Sequence, residues 1–368
     1  MIYYIYSFEV FILFLLSYYS VLIKNKYLTY IVIFVLLILT SSFYGFRDII
    51  IYNQDGFTTD TYRYALIWFK EITTIQDIFY GTSSWKADYL FFTIPYIVNF
   101  ISSNPNIYLF TNAFISFGLL FYAYYKIING KKYYYLFPFV VFLILACSTT
   151  VANYANLLRQ GLAISLVLMS IAFMLENKIK YGYLFFILAL FSHKSVIVFF
   201  IIYFFVFHTK IKLKYYFYIL FFSLPFTFFN ILGLIGSNFL LLSEKINSYQ
   251  GSNSRMLIFK AMILFVIAIF LYNFFKNRKY SYIFEQIFKI YISVLIIAFI
   301  SFKIEIISGR LLYYPSILLP YFIFNFIFYI KQKNLYFYVV TILTIAYGLF
   351  ILLTSSTYKT IHFTNTLL

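Results

Sequence analysis

The sequence lacks most of what a soluble, disulfide-bonded or multidomain protein needs. It has one cysteine, Cys147, in 368 residues, so no disulfide framework forms within the chain. Only 11% of its residues are charged, against about a quarter in soluble globular proteins. No linker rich in proline, glycine and serine divides it, and no internal repeat is visible. These absences exclude a soluble protein and predict one transmembrane domain over 1–368.

Motifs for nucleotide or metal chemistry are also missing. The sequence has no Walker motif, no glycine-rich phosphate loop and no aspartate pair of the kind that binds nucleotide sugars. With three histidines and one cysteine in the chain, it predicts no metal site and no cofactor. Energy from ATP, or from a nucleotide sugar in the cytoplasm, is therefore not expected.

Long apolar runs dominate what is present. The chain is 64% hydrophobic, with a mean hydropathy of +0.89. Runs long enough to cross a membrane, or nearly so, predict an all-α polytopic membrane protein with about 12 transmembrane helices (roughly 10–14). They fall at about 2–23, 28–46, 89–128, 133–150, 157–175, 181–193, 195–207, 215–236, 256–275, 283–302, 311–330 and 334–354.

Basic residues predict the topology. Six lysine-rich groups lie in alternate short loops, and all can be cytoplasmic if the N-terminus lies outside. Because 2–23 has no basic region before it and two lysines after it, it reads as a retained span. Two segments have lengths that do not match the number of membrane crossings required by the basic loops, so we predict re-entrant or interfacial helices near 89–104 and 181–207.

Lysine and arginine separate between the two predicted sides. Of the 15 basic residues on the inner side, 14 are lysine, whereas five of the six arginines lie outside: Arg47, Arg63, Arg159, Arg255 and Arg310. Lysine suffices to fix orientation, but the planar arginine side chain suits bidentate binding of phosphate or carboxylate. The net charge of +17 thus indicates topology and an outer anion site rather than a nucleic-acid partner.

The outer loop at about 47–88 holds the first candidate residues. Apolar residues recur at helical spacing from Tyr62 to Ile72, so Asp60 or Thr61 is placed to cap a helix lying on the membrane. The alternative is a functional carboxylate, Asp60, beside arginines such as Arg47 and Arg63.

Asn156, Arg159 and Gln160 open the predicted span at 157–175, with the first two on one helical face. An arginine there either reaches out to lipid headgroups or, with its amide neighbours, binds an anion. His193 separates two short apolar halves; it is either a hydrogen-bonded structural group or a group for proton transfer.

A third outer cluster contains Arg310 and Tyr313. It is explained either by an ion pair of Glu305 with Lys303 or Arg310, or by a further part of the anion site. In the second case the tyrosine supplies a hydroxyl or a face on which a sugar stacks.

Taken in order, these residues resemble the EpsG-like family of Wzy-type polymerases of O-antigen, capsule and exopolysaccharide. The resemblance covers about 43–315 and departs from the family pattern at Thr58, where a glycine is usual, and at Asp88-Tyr89-Leu90, where an acidic residue and Pro-Gly are usual. The matching elements are Arg47-Asp48, Thr59-Asp60-Thr61-Tyr62-Arg63-Tyr64, Asn156-Leu-Leu-Arg159-Gln160-Gly161, His193-Lys194-Ser195 and Arg310-Leu-Leu-Tyr313-Tyr314.

The resemblance implies a polymerase in the bacterial cytoplasmic membrane, with its active site facing the periplasm or cell exterior. Its substrate would be an oligosaccharide on undecaprenyl pyrophosphate, and its partners membrane lipid, a flippase and a chain-length regulator. We assign Arg159 and Arg310, helped by Arg47 or Arg255, to the pyrophosphate. His193 is the first choice as general base, and Asp60 is either the second choice or the group that orients His193. Alternatives are a flippase or transporter, an O-antigen ligase, or a polyprenyl-phosphate glycosyltransferase.

Overall fold

The computed structural model describes residues 25–47, 49, 60–80, 88–151, 153–154, 157–228, 255–276 and 281–330. Every regular element in these ranges is a helix, which confirms the all-α prediction. The predicted spans at 2–23 and 334–354 lie outside the described residues.

The helices are numbered in chain order within the described ranges. The first five are α1 Lys26–Gly45, α2 in three consecutive segments (Asp60–Tyr62, a π-helical turn Arg63–Trp68, and Phe69–Glu71), α3 Ile75–Tyr80, α4 Tyr89–Asn99 and α5 Pro105–Ile127. The next five are α6 Gly130–Tyr133, α7 Phe137–Ala146, α8 Ser148–Val151, α9 Leu158–Leu175 and α10 Ile179–Ser192. The remainder are α11 Val198–Phe207, α12 Leu213–Ser223, α13 Arg255–Phe275, α14 Tyr282–Ile300, α15 Glu305–Leu311 and α16 Tyr313–Ile330.

Five helices in the described ranges are long and apolar enough to cross a membrane. The limits of four of them agree closely with predicted runs because hydropathy is a local property of the sequence, whereas Pro105–Ile127 is only the second part of the predicted run at 89–128. The five helices are Lys26–Gly45, Pro105–Ile127, Leu158–Leu175, Leu257–Phe275 and Tyr282–Ile300. The total of about twelve spans stays a prediction.

Short helices occupy the two segments that did not fit a simple topology. α4 has 11 residues with Pro95 inside it, and α10 and α11 have 14 and 10 residues. At 1.5 Å per residue they rise about 15–21 Å, well short of the roughly 30 Å hydrocarbon core. Their place in a membrane, re-entrant or interfacial, stays a prediction.

The chain divides into two compact units: Met1–Ile197 with Pro320–Leu368, and Val198–Leu319. Of the described helices, the first unit contains α1 to α10 and the second contains α11 to α15, while α16 begins in the second and ends in the first. The predicted single transmembrane domain stays a prediction.

In the first unit, α1 and α5 pack antiparallel. Each step of seven or eight residues back along α1 is matched by an equal step forward along α5, and glycine allows the closest approach. Three contacts show this order. A methyl group added at Gly45 would lie 2.5 Å from the Phe110 Cα, and one added at Gly118 would lie 3.8 Å from Leu37. Further along, the Tyr30 and Tyr125 hydroxyls are 2.9 Å apart.

α9 runs parallel to α5. Near its start, Arg159 lies within electrostatic range of the Tyr108 hydroxyl, and just beyond its end Glu176 accepts a hydrogen bond from Lys126. Tyr108 and Lys126 are 18 residues, or five helical turns, apart on one face of α5, a rise of about 27 Å. We call the end with Arg47, Tyr108 and Arg159 the arginine end and the other the lysine end. Their separation is close to the thickness of a bilayer core.

Candidate functional site

One face of α2 forms the wall of the arginine end. Thr61, Tyr64 and Trp68 follow one another at spacings of three and four residues, which places them on one face, and each is buried. Arg63 and Lys70 lie elsewhere on the helix and are exposed. The helix predicted from about residue 62 to 72 is thus present, and it turns its buried face towards the arginines.

The end of α2 is fixed to α4. The Asn99 side-chain amide donates hydrogen bonds to the carbonyl oxygens of Phe69 and Ile72, at 2.6 and 2.8 Å. These are carbonyls at the last turn of α2, where the helix itself provides no donor. The outer-loop helix is therefore held in place by side-chain contacts as well as by its apolar face.

Arg159 is the centre of the site. It is 5% exposed, and its Nε donates a hydrogen bond to the Tyr64 hydroxyl at 2.9 Å. Its Nη1 donates to the carboxylate of Asp88, which is also buried. The guanidinium carbon lies 5.4 Å from the ring centroids of both Tyr64 and Trp68, within the range of cation–π attraction.

These contacts explain how an arginine is accommodated among apolar helices. A buried charge is costly unless an opposite charge and hydrogen bonds compensate it. Asp88 supplies the charge, and Tyr64 supplies a hydrogen bond and a π face. The guanidinium is therefore held inside the protein, rather than reaching out to lipid headgroups.

The Arg47 side chain contacts the same face of α2. It is 1% exposed, and its Nη2 donates a hydrogen bond to the Thr61 hydroxyl at 3.0 Å. Because Thr61 and Tyr64 are one turn apart, α2 binds Arg47 and Arg159 side by side. The helix begins at Asp60, so Thr61 lies inside it and serves as a partner of Arg47 rather than as the cap.

Tyr108 adds a hydroxyl near the two arginines. Its ring stacks on Phe69 at 5.3 Å between centroids and lies 6.4 Å from Phe91, which fixes its direction. The hydroxyl is within electrostatic range of Arg47 and Arg159. It makes no hydrogen bond within the described part of the chain, so it is a buried donor near two cations.

His193 follows α10 at the same end of the unit. It is 8% exposed, and its backbone N–H donates to the Ala189 carbonyl at 2.9 Å, which ends the helix. The ring of Phe191, two residues earlier, lies 6.2 Å from that of Tyr89, the neighbour of Asp88. Gln160, next to Arg159, is 2% exposed.

The third predicted cluster lies in the second unit. Arg310 and Tyr313 are half-buried and interact electrostatically. The Lys260 Nζ lies 4.3 Å from the centroid of the Tyr313 ring. This unit thus carries its own cationic cluster, to which α13 contributes a lysine that the sequence did not single out.

Four predicted positions are not described at the side-chain level. Asp60 begins α2 and Arg255 begins α13, but their side chains lie outside the described residues, as does that of Glu305. Asn156 lies outside them altogether, because the described chain resumes at Leu157. Their proposed roles stay predictions.

Sequence reasoning missed the partners of the arginines. In the sequence Asp88 is only a departure from a motif, and no pattern singles out Trp68 or Tyr108. The spacing of Thr61, Tyr64 and Trp68 was a usable signal, since it predicts one helical face from which Arg63 is excluded. No local signal connects Asp88 with Arg159, because 71 residues separate them.

Comparison with known proteins identifies the family. A model described as the EpsG family matches residues 49–365, which is most of the chain. The chain belongs to the EpsG family. No curated protein and no solved structure matched it. The EpsG family comprises Wzy-type polymerase-like proteins, so this EpsG-family chain is a membrane protein of the polysaccharide-polymerase type.

Proposed function

We propose that this EpsG-family protein polymerises oligosaccharide repeat units carried on undecaprenyl pyrophosphate, at the outer face of the bacterial cytoplasmic membrane. The growing chain is transferred from its lipid pyrophosphate to the next lipid-linked unit. A flippase supplies the units and a chain-length regulator acts with the enzyme. The product is O-antigen, capsule or exopolysaccharide.

The observation that supports this proposal is the buried cationic centre at the arginine end. This centre contains two buried guanidinium groups, those of Arg47 and Arg159, which α2 holds side by side, with Asp88 paired to Arg159. It is enclosed by aromatic rings, where charge interactions are stronger than in water. Such a centre suits a polyanionic leaving group such as pyrophosphate, which guanidinium groups bind through paired hydrogen bonds.

The proposed reaction needs no cofactor, because every bond, electron pair and proton is accounted for by donor, acceptor and enzyme. The acceptor hydroxyl oxygen attacks the anomeric carbon of the donor chain, and the bond from that carbon to the pyrophosphate oxygen breaks. The leaving pyrophosphate keeps the electron pair, and the arginines stabilise the charge that grows on it. The proton of the acceptor hydroxyl passes to a base, for which His193 is the first choice and Asp60 the second.

The described neighbours take supporting roles in this proposal. Asp88 and Tyr64 hold the Arg159 guanidinium in one orientation, and Thr61 does the same for Arg47. The Tyr108 hydroxyl is positioned to donate a further hydrogen bond to a phosphate oxygen. Roles in substrate binding predicted from the sequence are kept for Arg310, Tyr313, Arg255, Asn156, Gln160 and Arg63.

The assignment is tested in cells lacking the chromosomal gene and expressing variants at matched membrane levels. We expect Arg159→Ala and His193→Ala to abolish long polymer on glycan gels. Lys70→Ala is the matched control, because Lys70 is an exposed cation on α2 and should leave the ladder unchanged. Normal long polymer with either of the first two variants would remove that residue from the mechanism.

Deletion of the gene separates the alternatives. Loss of a polymerase leaves single repeat units on the cell-surface acceptor. Loss of a ligase leaves no glycan on that acceptor and keeps polymer on its lipid carrier. Loss of a flippase traps the units inside. Only the first result agrees with the proposed function.

A further inference from the structure

A cavity of about 600 Å³ opens at the lysine end of the first unit, remote from the arginines. It lies between the end of α5, the turn that follows it, and the residues after α9. Its wall includes Tyr122, Tyr125, Lys126, Lys131, Glu176 and Lys178. The volume falls within the usual range of small-molecule sites, about 300–1,000 Å³.

The cavity lies at the end of α5 opposite to the arginine end. Lys126 is about 27 Å along α5 from Tyr108, so a bilayer that meets the arginine end at one surface meets the cavity at the other. Tyr122 is half-exposed beside it, and tyrosine is enriched at membrane–water interfaces. Lipid headgroups are therefore the molecules nearest to the opening.

The charges in the wall are unequal. Lys126 donates hydrogen bonds to both Glu176 oxygens, at 2.9 and 2.8 Å, and Lys178 donates to one of them at 3.0 Å. Burial raises the pKa of Glu176, but the hydrogen bonds from these two lysines outweigh it, so the pKa lies below its ordinary value. The carboxylate is therefore ionised at neutral pH, and because the cavity wall holds three lysines and this one carboxylate, its net charge is positive.

Lys131 and its neighbour Lys132 differ in whether they line the cavity. Lys131 lines the cavity and forms no ion pair within the described part of the chain. Lys132, its neighbour with the same charge and a similarly exposed side chain, is absent from the cavity wall, and its Nζ lies 5.2 Å from the Tyr133 ring centroid. The pair provides a matched comparison of a cavity lysine with a surface lysine.

We propose that this cavity binds the phosphate-bearing headgroup of an anionic membrane phospholipid. The cationic wall attracts the phosphate, the opening lies where headgroups lie, and basic pockets between transmembrane helices are a known mode of such recognition. Glu176 holds Lys126 and Lys178 in place, while Lys131 contributes the cation that Glu176 does not engage. The inference is independent of the proposed polymerisation.

The test uses the full-length protein purified in a neutral detergent. Phosphatidylglycerol is titrated in, and the apparent melting temperature is followed, since a ligand of the folded state stabilises it by mass action. We expect stabilisation of the wild type and of Lys132→Ala. For Lys131→Ala the half-saturating lipid concentration should rise about fivefold, the effect of one lysine at a headgroup surface. Lys131→Arg should restore binding.

Three results would overturn the proposal. If Lys131→Ala and Lys132→Ala weaken the effect equally, the attraction belongs to the whole basic surface. If phosphatidylcholine stabilises as well as phosphatidylglycerol, the anionic charge is not recognised. If inorganic phosphate alone stabilises at similar concentrations, the ligand is a soluble phosphate. Without lipid, all three lysine variants should melt like the wild type, which shows that they fold.

Discussion

Replacing Asp88 with alanine removes the carboxylate that faces Arg159 inside the first unit. Both side chains are only 6% exposed, so solvent cannot replace the lost partner. Breaking a buried pair from one side costs about 3–5 kcal/mol, because a charge is left buried without compensation. The Tyr64 hydroxyl and the two aromatic rings remain around the guanidinium, so we expect the lower part of this range, about 3 kcal/mol.

The comparison variant is Glu176→Ala. Its main partner is Lys126, and the two side chains are 33% and 12% exposed. A pair open to solvent contributes about 0–1 kcal/mol, so this variant should be nearly as stable as the wild type. The free energy of unfolding is measured for both variants in the same detergent by denaturant titration, with circular dichroism as the signal.

The expected difference is about 2 kcal/mol or more in favour of Glu176→Ala. Equal stabilities for the two variants would refute the reasoning, since they would show that Arg159 is solvated or otherwise paired. The double variant Asp88→Leu with Arg159→Met provides a further check. It removes both charges, so it should recover most of the stability lost in Asp88→Ala.

Three other predictions concern packing, pH and substrate binding. Gly45→Ala should lower the free energy of unfolding by about 1–3 kcal/mol because its methyl group meets the backbone of Phe110. Gly118→Ala, where the added methyl has room, should be neutral or stabilising. Thermal unfolding of the two variants and the wild type measures this difference. The lowered pKa of Glu176 means that its ion pairs stabilise the fold above pH 4.5, its ordinary pKa, and are lost as pH falls through the lower folded value. Melting temperatures of wild type and Glu176→Gln should therefore converge as the pH falls below 4.5 and through the lowered folded pKa, and a constant difference would contradict this. Tyr108→Phe removes one hydroxyl, and on the proposed function it should shorten the glycan ladder at unchanged protein level; an unchanged ladder would remove Tyr108 from the site.

Some features could be predicted from the sequence because they depend on neighbouring residues. The limits of α1, α9 and α14 follow from runs of apolar residues, and the short helices at 89–99 and 179–192 follow from where polar residues interrupt such runs. The helix of the outer loop follows from its periodicity. Each of these is a property of ten to twenty consecutive residues.

The arrangement around the arginines could not be predicted in this way. Arg159 reads in the sequence as a cation at the mouth of a span, which is compatible with lipid, substrate or a protein partner. Its ion pair with Asp88 joins residues 71 positions apart, and its contact with Tyr64 joins residues 95 positions apart. Such pairs form only when α2, α4 and α9 pack together.

By itself, the sequence determined that the chain is helical and that it belongs in a membrane, and it predicts that lysine and arginine divide between the two sides. Hydropathy and charge set these features because each residue contributes its transfer free energy wherever it lies in the fold. The tertiary structure decided which charges are buried and which are paired. Burial and pairing depend on distances between helices, and those distances turn isolated arginines into one enclosed centre and isolated lysines into the wall of a cavity.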